Sequence, residues 1–148
     1  MRAPRRPWYV LHSIPVGSRG ADIDHLLIGP GGVYSLNTKY HRGQVWVGDQ
    51  AITVNGQSVP YSAKARAEAD RVRRCLEPHH SRDRALPVVP VIVVAAGQLT
   101  GRHVTADGVH VLAVADLARW LRRRGPILPP DQVEELYEAA RVSTLWTQ

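Results

Sequence analysis

The chain of 148 residues has the length of one domain, and its 44% hydrophobic content argues against a disordered protein. A single cysteine, Cys75, excludes an internal disulfide framework and indicates a reducing compartment, so we expect a cytoplasmic protein. The net charge of +6 favours an anionic partner such as nucleic acid, although solubility alone also accounts for it.

The first predicted element is a strand over residues 8–16, WYVLHSIPV, which is rich in β-branched and aromatic residues. It is too short and too polar to span a membrane, and the basic start MRAPRRP lacks the apolar stretch of a signal peptide, so we expect no membrane partner. Residues 22–39 read as two apolar strands joined by a Gly-Pro-Gly-Gly turn. Residues 44–59 hold two or three short strands, and Asn55-Gly56 is a strong hairpin signal between two of them.

Helical spacing begins near Ser62, a candidate N-cap, and Pro78 marks the end of this helix. Its apolar stripe consists of Ala65, Ala69, Val72 and Leu76. The continuous apolar run over residues 88–96 predicts a central strand covered on both faces. Residues 101–107 are predicted to be loop or edge, and residues 109–112 a further short strand.

Two more helices are predicted near the C-terminus. One contains Val114, Leu117, Trp120 and Leu121, and the other starts after Pro129-Pro130, where Asp131 and Glu134 have the spacing of a capping box. This order of elements predicts a mixed α/β sheet with helices packed on it, formed by residues 1–148 as one domain.

The most informative segment is the hairpin from Asp22 to Lys39. If Gly29 to Gly32 form the turn, directly opposite residues have numbers that sum to 61. Asp24 then faces Asn37, and Asp22 faces Lys39 on the same side of the hairpin. A shift of one residue in register would disperse this group, so its convergence is a sharp prediction.

Phosphodiester hydrolysis needs such a group of side chains. A carboxylate together with carbonyl oxygens can hold a hard divalent cation, which polarises a phosphate and lowers the pKa of a bound water. A lysine can orient that water and stabilise the charge that develops in the transition state. The alternative is a simple Asp–Lys ion pair at a sheet edge with Asn37 as a bystander, and the residues alone leave both interpretations open.

The sequence ADIDHLLIGPGGVYSLNTK, followed by Tyr40-His41-Arg42-Gly43, resembles the nuclease-related domain (NERD) family of the PD-(D/E)XK restriction-endonuclease-like superfamily. The similarity is strongest over residues 8–60 and extends to the VPVIVV strand and the LARWL helix. It implies an α/β fold with a mixed central sheet flanked by helices, an αβββαβ core, and metal-dependent cleavage of DNA.

The resemblance also implies roles for individual residues. Asp24 corresponds to the metal-binding acid, Asn37 to the Glu/Asp/Gln position, and Lys39 to the lysine, so Asp24 and Asn37 would ligate Mg²⁺ or Mn²⁺. Family members carry a helix with a Glu before the first strand, whereas only seven residues precede Trp8 here and the first Glu is Glu68. We therefore expect that helix to be absent or encoded upstream. We also expect one carboxylate at the site and weak Mg²⁺ affinity, unless Asp22 supplies a further oxygen.

Several basic residues are candidates for nucleic-acid contacts. The set comprises His41, Arg42, Lys64, Arg71 and Arg74. A solvated helix face with Lys64–Glu68, Arg66–Asp70 and Asp70–Arg74 pairs is an equally good interpretation of the helical members. His79 and His80 lie in a polar loop without a zinc-type ligand nearby, and we expect them to be solvated.

Three hypotheses follow from the sequence. The first is a domain that binds DNA and hydrolyses phosphodiester bonds with Mg²⁺ or Mn²⁺. The second is a catalytically impaired nucleic-acid-binding protein on the same fold. The third is a structural module whose exposed apolar surface mediates dimerisation, and a homodimer is common in this superfamily.

Overall fold

A computed structural model of the protein describes residues 8–16, 21–80, 85–95 and 97–147. The sequence motifs at residues 1–7 and the polar loop at residues 81–84 lie outside the described residues. The strands are β1 (Tyr9–Val16), β2 (Ala21–Gly29), β3 (Gly32–Tyr40), β4 (Gln44–Val47), β5 (Ile52–Val54), β6 (Gln57–Val59), β7 (Val88–Ala95), β8 (Gln98–Gly101) and β9 (His110–Ala113). The helices are α1 (Tyr61–Leu76), α2 (Leu117–Arg122) and α3 (Pro130–Ala140).

The main sheet has five strands in the order β1-β2-β3-β7-β9. Strands β1, β2 and β3 form an antiparallel meander, and β7 pairs in parallel with both β3 and β9. The connection from β3 to β7 contains α1, as a parallel pair requires a long crossover. This mixed α/β arrangement, with sheets flanked by helices, is consistent with the predicted restriction-endonuclease-like fold.

A second, four-stranded sheet has the order β6-β5-β4-β8. The expectation of one sheet, with loop or edge at residues 101–107, did not include β8. This strand is short and polar, and it forms by parallel pairing with β4, a contact distant in sequence. Gly101 ends β8 with φ +97°, and a Cβ atom there would collide with the backbone of Val47. Such non-local pairing leaves little trace in a local sequence pattern.

Helix α1 packs on the main sheet through the predicted stripe of Ala65, Ala69, Val72 and Leu76, all of which are buried. Helix α3 lies on the same face and contributes Val133 and Leu136 to the same core. Strand β7 is buried along nearly its whole length, which confirms the prediction of a central strand covered on both faces.

Both predicted helix caps are wrong. Helix α1 begins two residues earlier than predicted, with Pro60 instead of Ser62 at the N-cap position, and helix α3 begins after Pro129; neither N-cap makes a side-chain hydrogen bond. In each case a proline near the helix start replaces a polar cap, because its fixed φ suits a helix entrance. Val114 is exposed in a short 3₁₀ turn ahead of α2 rather than in a helix. Among the described residues, no helix combines the length and apolar character that a membrane span requires.

Candidate active site

The hairpin of β2 and β3 has the predicted register. Its pairs run from Gly29–Gly32 at the turn to His25–Leu36, and each pair sums to 61. The ladder ends at this last pair, so Asp24 and Asn37 are the next residues on the two strands. Asp22 is exposed and lies opposite Pro15 of β1, and Lys39 belongs to the part of β3 beyond the ladder. The structure therefore keeps Asp24 and Asn37 at one end of the hairpin but does not pair Asp22 with Lys39.

Asp24 occupies the point where β2 separates from β3. Its Oδ2 atom accepts a long hydrogen bond, 3.4 Å, from the backbone N–H of Thr38. On the β1 side of β2, Ser13 lies between the paired residues His12–His25 and Ile14–Ile23, and its φ is +50°. A positive φ is uncommon outside glycine, so the edge strand is locally distorted beside the acid. The Asp24 carboxylate thus accepts a hydrogen bond from the backbone of β3 just beyond the last regular pair of the β2–β3 ladder.

Strand β3 presents a row of polar side chains toward α1. Ser35, Asn37 and Lys39 alternate along the strand and therefore share one face. Ser35 is fully buried, whereas Asn37 and Lys39 are half-buried. Helix α1 runs antiparallel to this strand, since Glu68 contacts Ser35 while Tyr61, seven residues earlier, contacts Lys39.

Glu68 of α1 joins this row. Its Oε1 atom accepts hydrogen bonds from Ser35 Oγ at 2.8 Å and from Asn37 Nδ2 at 3.3 Å. Burial raises the pKa of Glu68 above its ordinary value; the two hydrogen bonds lower it, the carboxylate of Asp24 raises it, and Lys39 lowers it. Asp24 and Lys39 are therefore close enough to Glu68 for their charges to act on it. The site contains two carboxylates rather than the single one expected.

Lys39 is held beside an aromatic side chain. Its Nζ atom lies 4.5 Å from the centroid of the Tyr61 ring, within the range of a cation–π interaction. The Tyr61 hydroxyl is hydrogen-bonded to Nε2 of His41 at 3.0 Å, and the two rings stack with centroids 5.8 Å apart. His41, predicted to contact nucleic acid, is thus engaged with Tyr61.

The other basic candidates lie along and near α1. Lys64 and Arg71 stand four residues before and three after Glu68, so the three residues share one helix face. Arg74 is exposed nearer the C-terminal end of the helix, and Arg42 is exposed after β3. A cleft of about 430 Å³ at this helix end is lined by Arg71, Arg74, Cys75, Pro78, His79 and Leu145.

The ion pairs predicted for α1 are only partly present. Arg66 pairs with Asp70 at 3.3 Å, but the second partner of Asp70 is Arg73 at 3.9 Å instead of Arg74. Glu68 turns toward Ser35 and does not take the predicted partner on its own helix. The helix therefore has one face of mutually paired charges and another face directed at β3.

The donor set fits a hard ion that prefers oxygen ligands, such as Mg²⁺ or Mn²⁺, better than a metal that prefers nitrogen or sulfur ligands. Within the described ranges, no three His, Cys, Asp or Glu side chains gather as a ready-made metal cluster. Mg²⁺, however, is usually held by one or two carboxylates, with waters and substrate phosphates completing its shell. Asp24 and Glu68 supply two carboxylates, and Asn37 adds an amide group beside them.

Comparison with protein-family models matched residues 1–95 to the nuclease-related domain. The matched segment contains the meander, the small hairpin strands, α1 and β7, and so every residue of the site described above. The chain belongs to the nuclease-related domain family. Comparison with curated proteins and with solved structures gave no match.

Membership of the NERD family confirms the resemblance seen in the sequence, and it is consistent with the PD-(D/E)XK superfamily. It indicates a nuclease-related function, and it suggests nucleic acid as a partner and a general dependence on a divalent metal. Which residues carry the chemistry is not given by the family match and rests on the geometry of this chain.

Glu68 is the site residue that sequence reasoning missed. It precedes the buried Ala69 and follows the buried Ala65 by three residues, which puts it at the border of the packed stripe. Ser35 and Asn37 gave the complementary signal, since they make the α1-facing side of an otherwise apolar strand polar. Joining the two signals required the antiparallel placement of α1 on β3.

Proposed function

We propose that this protein hydrolyses phosphodiester bonds of nucleic acid, with DNA as the expected substrate, in a reaction that depends on Mg²⁺ or Mn²⁺. The observation that carries the proposal is the meeting of two carboxylates, Asp24 and Glu68, with Lys39 at the end of the β2–β3 hairpin. Two carboxylates can hold a divalent cation, and a lysine can stabilise the negative charge that develops on the phosphate. A hard divalent cation, when bound, withdraws charge from the phosphate and makes water easier to deprotonate.

In this proposal Asp24 and Glu68 hold the cation, and Asn37 supports Glu68. The Asn37 amide donates to the carboxylate at 3.3 Å and so fixes its orientation. The hydroxyl of Ser35, which is fully buried, donates a second hydrogen bond to the same Glu68 oxygen. Lys39 approaches the scissile phosphate, orients the attacking water and stabilises negative charge on the phosphoryl oxygens.

The basic residues contribute substrate binding. Lys64 and Arg71 flank Glu68 on the helix face, where their charges can neutralise phosphates on either side of the scissile group. Arg74 would extend this contact toward the cleft at the end of α1, and Arg42 would contact the backbone near the end of β3. Because His41 is bonded to Tyr61, its predicted phosphate contact is a weaker part of the proposal.

We also propose that the segment after residue 95 completes the same domain. Strand β9 pairs with β7, and Trp146 is buried in the core that includes Val72 of α1. A cytoplasmic location is part of the proposal and rests on the single cysteine. A homodimer stays a prediction from the superfamily resemblance.

The test is a cleavage assay on linear and circular DNA with Mg²⁺, with Mn²⁺ and with a chelator. The variants are Asp24→Ala, Glu68→Gln and Lys39→Ala, and Asp70→Asn is the matched control. Asp70 lies two residues from Glu68 on α1 but pairs with Arg66 and Arg73. We expect metal-dependent cleavage that each site variant reduces by at least about 100-fold, the usual scale for loss of a catalytic group.

The outcomes separate the competing hypotheses. Cleavage that survives all three site substitutions would rule out this site. DNA binding without cleavage, insensitive to metal and to Asp24→Ala, would favour the impaired nucleic-acid-binding protein. A dimer without nucleic-acid affinity would support the structural module.

A further inference from the structure

We propose that Tyr61 is a positioning residue for Lys39, and that His41 holds the Tyr61 ring in place. The inference rests on the proposed function, because it assigns Lys39 a part in phosphodiester hydrolysis. It adds a three-residue arrangement in which the aromatic ring sets where the ammonium group stands. Tyr61 touches neither metal nor substrate in this account and acts through Lys39.

The contact between the two side chains is specific in geometry. The Lys39 ammonium lies over the face of the Tyr61 ring, 4.5 Å from its centroid. The ring face carries the negative part of the aromatic quadrupole and attracts a cation. Both side chains are half-buried, so water screens this attraction less than it would at an open surface.

The ring itself is fixed at two points. Tyr61 is the first residue of α1, so its backbone position is set by the docking of the helix on the sheet. Its hydroxyl is hydrogen-bonded to Nε2 of His41 at 3.0 Å, and the imidazole stacks on the ring with an interplanar angle of 23°. The backbone N–H of His41 in turn donates to the carbonyl of Ala95, at the end of β7. Through His41, which follows β3 and is hydrogen-bonded to β7, the Tyr61 ring is held to two strands of the main sheet.

Without such a contact, the Lys39 ammonium would be drawn into ion pairs with the nearby carboxylates. A lysine has four rotatable side-chain bonds, and the carboxylates of Glu68 and Asp24 would draw a free ammonium toward themselves. That collapse would occupy the oxygen atoms proposed to hold the cation. The N-terminus of α1 carries partial positive charge, and its first turn contains no acid, so the helix end offers no competing anion. The Tyr61 ring is the neutral partner that keeps the ammonium beside the carboxylates without an ion pair.

The alternative is that Tyr61 only fills space, since it packs at the border of the apolar cluster formed by β4, β5 and β7. Val59 borders the same cluster and has no aromatic ring, so Val59→Ala serves as the control for lost packing. The test must therefore separate the charge of the ring face from its volume.

The experiment compares Tyr61→Phe, Tyr61→Leu and a series with mono-, di- and trifluorinated phenylalanine at position 61, each assayed on DNA under saturating Mn²⁺. Fluorination weakens the negative ring face while changing the volume little. We expect Tyr61→Leu to lower kcat by about 2- to 30-fold, the range of a cation–π contact. Tyr61→Phe should lower kcat less, because it keeps the ring and its stacking on His41 and loses only the hydroxyl hydrogen bond to Nε2. Within the fluorinated series, kcat should fall stepwise with no change in the Kd for DNA.

A second measurement needs no activity. In the metal-free protein, NMR should show the Lys39 methylene protons shifted upfield by the ring, with the shift kept in Tyr61→Phe and Val59→Ala and lost in Tyr61→Leu. Normal random-coil shifts for Lys39 in the wild type would overturn the contact itself. A clear ring shift together with a kcat insensitive to fluorination would overturn the positioning role. An inactive wild type with the ring shift present would instead overturn the role of Lys39, and with it the proposed nuclease.

Discussion

Replacing Ser35 by alanine tests whether the buried carboxylate of Glu68 is built into the fold. Ser35 is fully buried, and its hydroxyl donates the shorter of the two hydrogen bonds to Glu68 Oε1, at 2.8 Å. The substitution removes one oxygen atom and leaves the strand and its neighbours otherwise unchanged. Glu68 would then retain only the 3.3 Å bond from Asn37.

The expected loss follows from the charge on the acceptor. A hydrogen bond to a charged group contributes about 1.5–3 kcal/mol, so Ser35→Ala should lower the free energy of unfolding by about that amount at neutral pH. For a chain of this size the change corresponds to a fall in Tm of roughly 3–12 °C. With Gln at position 68 the bond is neutral, and the cost of Ser35→Ala should shrink by about 1 kcal/mol.

The assay is urea unfolding of wild type, Ser35→Ala, Glu68→Gln and the double variant, each with a chelator present, between pH 5 and pH 8. Burial raises the pKa of folded Glu68 above its unfolded value, so its ionisation favours the unfolded chain. Wild-type stability from this group therefore declines as pH rises through the folded pKa, and Glu68→Gln should remove that decline. Ser35→Ala should steepen it, because the lost bond favoured the ionised form.

Two results would refute this reasoning. One is a Ser35→Ala cost that is the same at every pH. The other is a cost that is undiminished in the Glu68→Gln background, which would mean that the hydroxyl stabilises something other than the carboxylate. Ser58→Ala, on an exposed position of β6, is the control and should stay within about 0.5 kcal/mol of wild type.

Two further substitutions test the site and the extent of the domain. Asn37→Asp replaces the amide donor near Glu68 by a third carboxylate. We therefore expect the variant to be less stable than wild type in chelator and to show a larger rise in Tm when Mn²⁺ is added. A smaller rise than in wild type would show that residue 37 does not lie next to the ion. Trp146→Ala should lower the free energy of unfolding by about 3–5 kcal/mol, because the indole is 1% exposed and donates a hydrogen bond to the Ala140 carbonyl at 2.8 Å. The variant should still unfold in a single transition that includes the β2–β3 hairpin, whereas two separate transitions would contradict one domain over residues 1–148.

The parts of the fold that the sequence predicted are those in which neighbours along the chain decide the structure. The register of the β2–β3 hairpin follows from one tight turn, and the buried stripe of α1 follows from its 3.6-residue period. The apolar run from Val88 to Ala95, rich in β-branched valine and too short for a typical helix, favoured a covered strand, and the structure has one there. Each of these is a pattern that can be seen within one short stretch of the chain.

The parts that the sequence did not predict depend on contacts between distant segments. Strand β8 is a four-residue polar segment that becomes a strand only because β4 is available beside it. The helix caps differ because prolines at the helix entrances replace polar side chains. Glu68 carries no sign of its role except its place at the edge of the buried stripe, and its partners lie more than thirty residues earlier on β3.

The position of Glu68 on α1 links assembly of the site to folding of the core. Asp24 and Asn37 are brought together by the hairpin alone, but the second carboxylate arrives only when the alanine stripe of α1 docks on the main sheet. Docking then places a carboxylate against Ser35 and Asn37 in a partly buried setting, which opposes folding through desolvation. A cation bound between Glu68 and Asp24 would offset that cost, so the same ion would both stabilise the docked helix and complete the site. In the proposed site the second acid, Glu68, therefore comes from the helix that follows the meander.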